Sequence, residues 1–136
     1  MKWAVGFVLA LAVCSTTACS QGRACTLIAA APGIEVSVDP ALDVTGGTLE
    51  LCWDGRCRTE RVELVSSTDA TFVQVLGLPE TAVTATVRLT GQSGAPVVDR
   101  TLTVTPELTY PNGPDCDGEA PQQQLVVDAN GGVRVG

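Results

Sequence analysis

Six cysteines are the residues of this chain whose type and spacing most clearly indicate chemistry. They are Cys14, Cys19, Cys25, Cys52, Cys57 and Cys116. Since the chain contains no histidine, it cannot form a Ser-His-Asp or Cys-His catalytic arrangement or a Cys₂His₂ zinc site. Cys52 and Cys57 also lack the Cys-x-x-Cys spacing of thiol oxidoreductases and of most zinc sites. We therefore expect disulfides and lipid attachment at these cysteines, and neither a metal nor a cofactor.

Carboxylates are abundant, with 15 Asp and Glu residues against 8 Lys and Arg and a net charge of −7. No motif marks a carboxylate pair of the kind that hydrolyses glycosides, and aromatic residues that could bind sugars are scarce. Residues 115–119 resemble a calcium loop, but they break the EF-hand spacing and contain Cys116, so we interpret them as a structural turn. The acidic balance argues against nucleic-acid binding. We therefore expect that the protein is not an enzyme. Of the functions considered, an enzyme that uses only carboxylates is the least favoured.

The first 18 residues have the order of a secretory signal peptide. Lys2 gives a positive start, residues 3–13 are uncharged and apolar, and small or polar residues follow to position 18. The apolar run is shorter than the roughly 17–25 residues that span a bilayer. We therefore expect export, into a compartment where cysteines can oxidise.

Three processing sites compete at the end of this leader. Residues 16–19, Thr-Thr-Ala-Cys, resemble a bacterial lipobox, although Thr16 stands where Leu is usual. Lipidation of Cys19 leaves four cysteines downstream, an even number that suits disulfides. Cleavage after Ala18 leaves Cys19 as an odd thiol, and cleavage after Ala24 leaves the same four cysteines in a soluble protein. We favour lipidation, with residues 19–32 as the lipidated tether and the segment leading into the domain.

Residues 33–136 read as one β domain. Short segments of alternating apolar and polar residues are separated by turn residues, which is typical of an antiparallel β-sandwich of about seven or eight strands. An immunoglobulin-like or prealbumin-like topology fits this pattern, and a small barrel is the alternative. The expected strands are 33–39, 48–53, 56–65, 70–78, 82–90, 97–105, 122–128 and 133–135.

A two-residue hairpin turn at Asp54 and Gly55 organises the central cysteines. A type I′ turn there places Cys52 directly opposite Cys57, within disulfide range. Four cysteines allow three pairings. The hairpin geometry favours Cys52–Cys57, which leaves Cys25 to pair with Cys116.

The same register places Trp53 opposite Arg56, with Arg58 nearby. Tryptophan and arginine are the residue types most often found as interface hot spots. These three residues are candidates for a partner anchor, and an envelope protein is the candidate class of partner. The interpretation that we favour is that Trp53 caps the core under the hairpin. The sequence leaves the oligomeric state open.

Three segments together resemble small uncharacterised secreted lipoproteins of actinobacteria. They are Cys-Thr-Leu-Ile at 25–28, Cys-Trp-Asp-Gly-Arg-Cys at 52–57 and Tyr-Pro-Asn-Gly-Pro-Asp-Cys at 110–116. The use of arginine for every cation after Lys2 fits a GC-rich genome. The resemblance implies an envelope lipoprotein with a β-sandwich, and it brings no activity to any residue.

These observations predict a bacterial cell-envelope lipoprotein with a non-catalytic binding or structural domain. It would be held outside the cytoplasmic membrane by lipid on Cys19. Because the domain is acidic, we expect membrane attachment to come from acyl chains rather than from the protein surface. The alternative is a secreted soluble module of the inhibitor or adhesion type, released after Ala24.

Overall fold

The computed structural model describes residues 24–65 and 69–136, and the predicted signal peptide and Cys19 lie outside these residues. The described part contains nine strands and no helix, which confirms the all-β prediction. The strands are β1 (Gly33–Val38), β2 (Gly46–Trp53), β3 (Arg56–Glu63), β4 (Ala70–Gln74), β5 (Val83–Thr90), β6 (Pro96–Val104), β7 (Glu107–Leu108), β8 (Pro121–Val127) and β9 (Val133–Val135).

The strands form two sheets. One sheet has the order β4-β1-β8-β7, with β9 also paired to β8, and the other has the order β3-β2-β5-β6. A single hydrophobic core draws on both sheets, so the architecture is sandwich-like. Strands β7 and β9 are the two shortest, and β7 lies within a segment that the sequence predicts as loop.

Side-chain alternation explains how each sheet contributes to this core. In β1, Ile34, Val36 and Val38 are buried while the residues between them are half-buried. In β5, the apolar residues at alternate positions from Val83 to Leu89 are fully buried, and Thr86 between them is also buried. Successive side chains of a strand point to opposite faces, so each sheet offers one apolar face to the other. Burial of these aliphatic side chains is the main stabilising contribution, about 1.5–3 kcal/mol for each fully buried Val, Leu or Ile.

The pairing of β1 with β8 is parallel, and every other pairing among the described strands is antiparallel. The prediction of a purely antiparallel sandwich is therefore wrong at this one ladder. The register runs from Gly33 beside Gln122 to Val38 beside Val127. The first strand and the last long strand thus run side by side in the same direction. Their separation in sequence leaves room for the long connection that a parallel pair needs.

Strand β4 ends at Gln74 rather than at Leu78, where the sequence pattern placed its end. The backbone N–H of Val75 donates to the carbonyl oxygen of Pro32, and the N–H of Leu78 donates back to Val75. Gly77 has a φ of 75°, in the region that favours glycine. The first bond continues the β1–β4 register by one residue on each side, and the second closes a turn that ends the extended segment.

Four segments meet at one end of the molecule, which we call the hairpin end. It consists of the β2–β3 turn, the β4–β5 connection at 75–82, residues 25–32, and the loop 109–120. Gly33 pairs with Gln74 on one side and with Gln122 on the other, which places three of these segments together. Gly77 lines a pocket with residues of the β2–β3 hairpin, which adds the fourth. The loops 39–45, 91–95 and 128–132 lie at the opposite end.

Candidate binding site at the hairpin end

The β2–β3 hairpin has the predicted two-residue turn. Asp54 has a φ of 49° and Gly55 a φ of 71°, and positive φ at both central positions is the signature of a type I′ turn. Trp53 pairs with Arg56 and Cys52 pairs with Cys57. Strand β3 lies at the edge of its sheet, where most of its polar side chains are exposed to solvent.

The structure contains two disulfides, Cys25–Cys116 and Cys52–Cys57, in the pairing that the sequence favoured. The Cα atoms of Cys25 and Cys116 are 5.9 Å apart, and the two residues are separated by 91 positions in sequence. The hairpin disulfide spans only 5 positions. Two disulfides are consistent with an exported protein.

The three residues predicted as a partner anchor lie together on the hairpin. Trp53 is half-buried and packs against the core, so the prediction that it caps the core is met in part. Arg56 stands directly opposite Trp53 in the ladder. The guanidinium carbon of Arg58 is 5.9 Å from the centroid of the Trp53 ring, within cation–π range. Trp53 thus has one part fixed by the core and another part exposed beside two cations.

These side chains line a pocket of about 300 Å³ together with Asp54 and Gly77. Among residues 24–65 and 69–136, no carboxylate oxygen lies within 4.0 Å of the Arg56 or Arg58 guanidinium. Arg61 on the same strand differs, because its Nη1 lies 3.5 Å from Glu63. A guanidinium carries five N–H donors in a fixed fork. The pocket therefore offers hydrogen-bond donors and positive charge to an anionic group next to an aromatic surface.

Residues 25–32 are fixed to the loop 109–120, and sequence reasoning did not find this feature. The Asn112 side-chain oxygen accepts hydrogen bonds from the Thr26 hydroxyl and the Ile28 N–H. Its amide nitrogen donates to the Ile28 carbonyl and to Glu119, each at 3.1 Å. The other carboxylate oxygen of Glu119 accepts from Ala30 N–H at 2.9 Å. The sequence offers only the turn signal of Asn112-Gly113, which does not indicate a partner 84 positions away.

Cys116 and Glu119, two residues of the turn at 115–119, take part in this same structure. Cys116 is joined to Cys25, and its N–H donates to the carbonyl oxygen of Gly113. The Glu119 carboxylate is bound as described above. Within the part of the chain that the structure describes, no group of three or more Cys, Asp or Glu residues is placed to hold a metal ion.

A second pocket, of about 350 Å³, lies at the opposite end and is lined in part by Asp39, Asp43 and Asp69. One Asp39 oxygen accepts a hydrogen bond from the Ala41 N–H, which stabilises the turn after β1. None of the described residues that line this pocket is a cation. It is therefore chemically unlike the pocket beside Trp53.

Comparison of the chain with protein-family models, with curated proteins and with solved structures found no match. In residues 24–65 and 69–136 there is also no helix with the length and apolar character needed to cross a bilayer.

Proposed function

We propose that this protein is a bacterial cell-envelope lipoprotein with a non-catalytic binding domain. In this proposal residues 1–18 are removed, Cys19 carries the lipid, and the domain lies outside the cytoplasmic membrane. The observation that supports it most is the pairing of all four cysteines downstream of Cys19. Cys14 leaves with the leader, so Cys19 has no cysteine partner within the processed chain. Lipidation uses this thiol to form a thioether, which requires no second cysteine.

The domain is proposed to have the prealbumin-like topology rather than the immunoglobulin-like one. In the constant-type immunoglobulin fold the first and second strands share a sheet, and the third strand lies in the other sheet. Here β2 and β3 form a hairpin within one sheet, while β1 lies in the other. The parallel ladder of β1 with β8 joins the chain's first strand to its last long one.

Binding is proposed because of the chemistry gathered at the hairpin. Trp53, Arg56 and Arg58 line one pocket, and these residue types are enriched among hot spots of binding energy. The hairpin is held by the Cys52–Cys57 disulfide, which limits the conformational entropy that binding would cost. A rigid aromatic residue beside two guanidinium groups suits recognition of an anionic surface.

The proposal is tested by fatty-acid labelling in the native host, followed by partition of the extract into detergent. Wild-type protein is expected to incorporate the fatty acid and to enter the detergent phase. Cys19→Ser should incorporate none, because its hydroxyl cannot form the thioether. Cys14→Ser is the matched control, and it should label like the wild type because that residue leaves with the leader. An unlabelled wild-type protein beginning at Cys25 would contradict the proposal and support a released soluble module.

A further inference from the structure

The way residues 25–32 are fixed determines which end of the domain can face the membrane. Cys25 is bonded to Cys116, and Pro32 accepts a hydrogen bond from Val75 N–H. Cys25 follows Cys19 by six positions, so the chain between them reaches at most about 20 Å when fully extended. Strand β6 has 9 residues, which corresponds to a length of about 30 Å. If Cys19 carries the lipid, the hairpin end stays near the bilayer and the opposite end is held away from it.

The hairpin end also carries large apolar side chains that are exposed. Leu27 is fully exposed, and the exposed fractions of Leu76, Ile28 and Tyr110 are 61%, 55% and 50%. Away from this end, the large exposed apolar residues of the described part are Val65, Val97 and Val135, with Phe72 on the outer face of β4. Tryptophan and tyrosine are enriched where proteins meet the headgroup region of a bilayer. The end nearest the lipid anchor therefore has the side chains that suit an interfacial position.

The charges at this end are mixed, and they decide what kind of contact is feasible. Arg56 and Arg58 project beside Trp53, while Asp54, Glu80 and Asp117 belong to neighbouring segments of the same end. Net attraction to anionic lipids is therefore not the driving force. Arginine can lay its alkyl stem along an apolar surface while its guanidinium binds a phosphate. Apolar insertion together with arginine–phosphate hydrogen bonds is compatible with an acidic domain.

We propose that the hairpin end of the domain rests on the lipid headgroup region, with Trp53, Leu27 and Leu76 at the interface and Arg56 and Arg58 on lipid phosphates. This inference rests on the proposed lipidation of Cys19. It departs from the sequence-based expectation that membrane attachment comes from acyl chains rather than from the protein surface. It also assigns a ligand chemistry, the phosphodiester of a lipid headgroup, to the pocket beside Trp53. The opposite end, with its acidic pocket, then faces away from the membrane.

Fluorescence of Trp53 tests this arrangement directly. The chain has two tryptophans, and Trp3 leaves with the leader, so emission from the processed protein comes from Trp53 alone. The lipid-modified protein is reconstituted into phosphatidylcholine vesicles containing a minor fraction of phosphatidylglycerol. Phosphatidylcholine with brominated acyl chains serves as the quencher. We expect loss of Trp53 emission in the brominated vesicles and a shift of the spectrum to shorter wavelength.

Matched variants separate the apolar contribution from that of the arginines. Leu27→Ser with Leu76→Ser should reduce the quenching, whereas Val97→Ser with Val135→Ser should leave it unchanged. Arg56→Gln with Arg58→Gln should also reduce it. Its control is Arg61→Gln with Arg88→Gln, since both of these arginines are paired with carboxylates elsewhere on the sheet. Every variant should still sediment with the vesicles through its acyl chains, and the melting transition of each verifies folding.

The outcomes for the lipid anchor and for the docked hairpin end can be told apart. A wild-type protein that lacks lipid and does not sediment would refute the lipoprotein proposal itself. A protein that sediments while Trp53 stays unquenched would overturn the docking inference and leave the lipoprotein proposal standing. If the unquenched Trp53 instead responds to added poly-glutamate peptide, the occupant of the pocket is an acidic protein segment. Equal quenching in the arginine variant and its control would show that Arg56 and Arg58 do not contribute to the contact with lipid.

Discussion

Removal of the two disulfides should have very unequal effects on stability. In the chain-entropy model, a cross-link stabilises the fold by restricting the unfolded chain, and its contribution grows with the length of the closed loop. Cys25 and Cys116 are separated by 91 positions, and Cys52 and Cys57 by 5. The model gives about 4–5 kcal/mol for the long loop and about 2 kcal/mol for the short one. Since a typical domain is stable by only about 5–15 kcal/mol, loss of the long-range disulfide should leave a marginal fold.

The native contacts around each disulfide indicate that both double-serine variants can still fold. Without the long-range bridge, Asn112 and Glu119 still bind residues 26–30 through side-chain hydrogen bonds. Without the short one, the hairpin keeps its type I′ turn and its ladder to β5. The difference between the variants should therefore come mainly from the unfolded state.

Urea unfolding, followed by Trp53 fluorescence at neutral pH, measures the two losses. Cys25→Ser with Cys116→Ser should lower the free energy of unfolding by roughly twice as much as Cys52→Ser with Cys57→Ser. The long-loop variant should also show a steeper dependence on urea, because its unfolded chain exposes more surface. A hairpin variant that loses as much stability as the long-loop variant would refute this reasoning. Joining of Cys25 to Cys52 or Cys57 in non-reducing peptide mapping would refute the pairing itself.

Three further substitutions test particular contacts. Gly47→Ala should destabilise the domain by more than about 2 kcal/mol in urea unfolding, because a Cβ there would overlap the backbone oxygen of Arg88; an unchanged midpoint would contradict this. Asn112→Ala should increase hydrogen exchange at the Ile28 amide with little change in global stability, and unchanged exchange would show that the clamp is not needed. Backbone hydrogen bonds lower the pKa of Asp128, so Asp128→Asn should be less stable than wild type at neutral pH. That deficit should shrink as the pH falls from about 4 through the lowered pKa, and urea midpoints across this range check it.

Local signals explain the features that were predictable from sequence. Asp54-Gly55 determines a two-residue turn, and that turn determines the cross-strand partners of Cys52 and Trp53. Alternation of Ile34, Val36 and Val38 likewise identifies the buried face of β1 without reference to any other strand. Because the turn sets the register of the hairpin, the amino-acid sequence alone is sufficient to place Trp53, Arg56 and Arg58 together.

Features that depend on distant segments were not predictable in this way. The parallel pairing of β1 with β8 joins residues almost ninety positions apart, and no local pattern states which strands become neighbours. The Asn112 clamp and the position of the hairpin end beside residues 25–32 also arise only from the tertiary fold. The proposed contact with lipid therefore depends on the tertiary fold. Trp53, Arg56 and Arg58 were identified from the sequence, whereas the exposure of Leu27 and Leu76 was not.

The intact mass of the protein purified from its native host, measured before and after reduction, determines whether Cys19 carries a lipid. We expect a chain that begins at Cys19 and carries a diacylglycerol. We also expect a gain of about four mass units on reduction, for two disulfides. A lipid-free chain that begins at Cys25, or a chain that retains residues 1–18, would refute the proposed lipidation of Cys19.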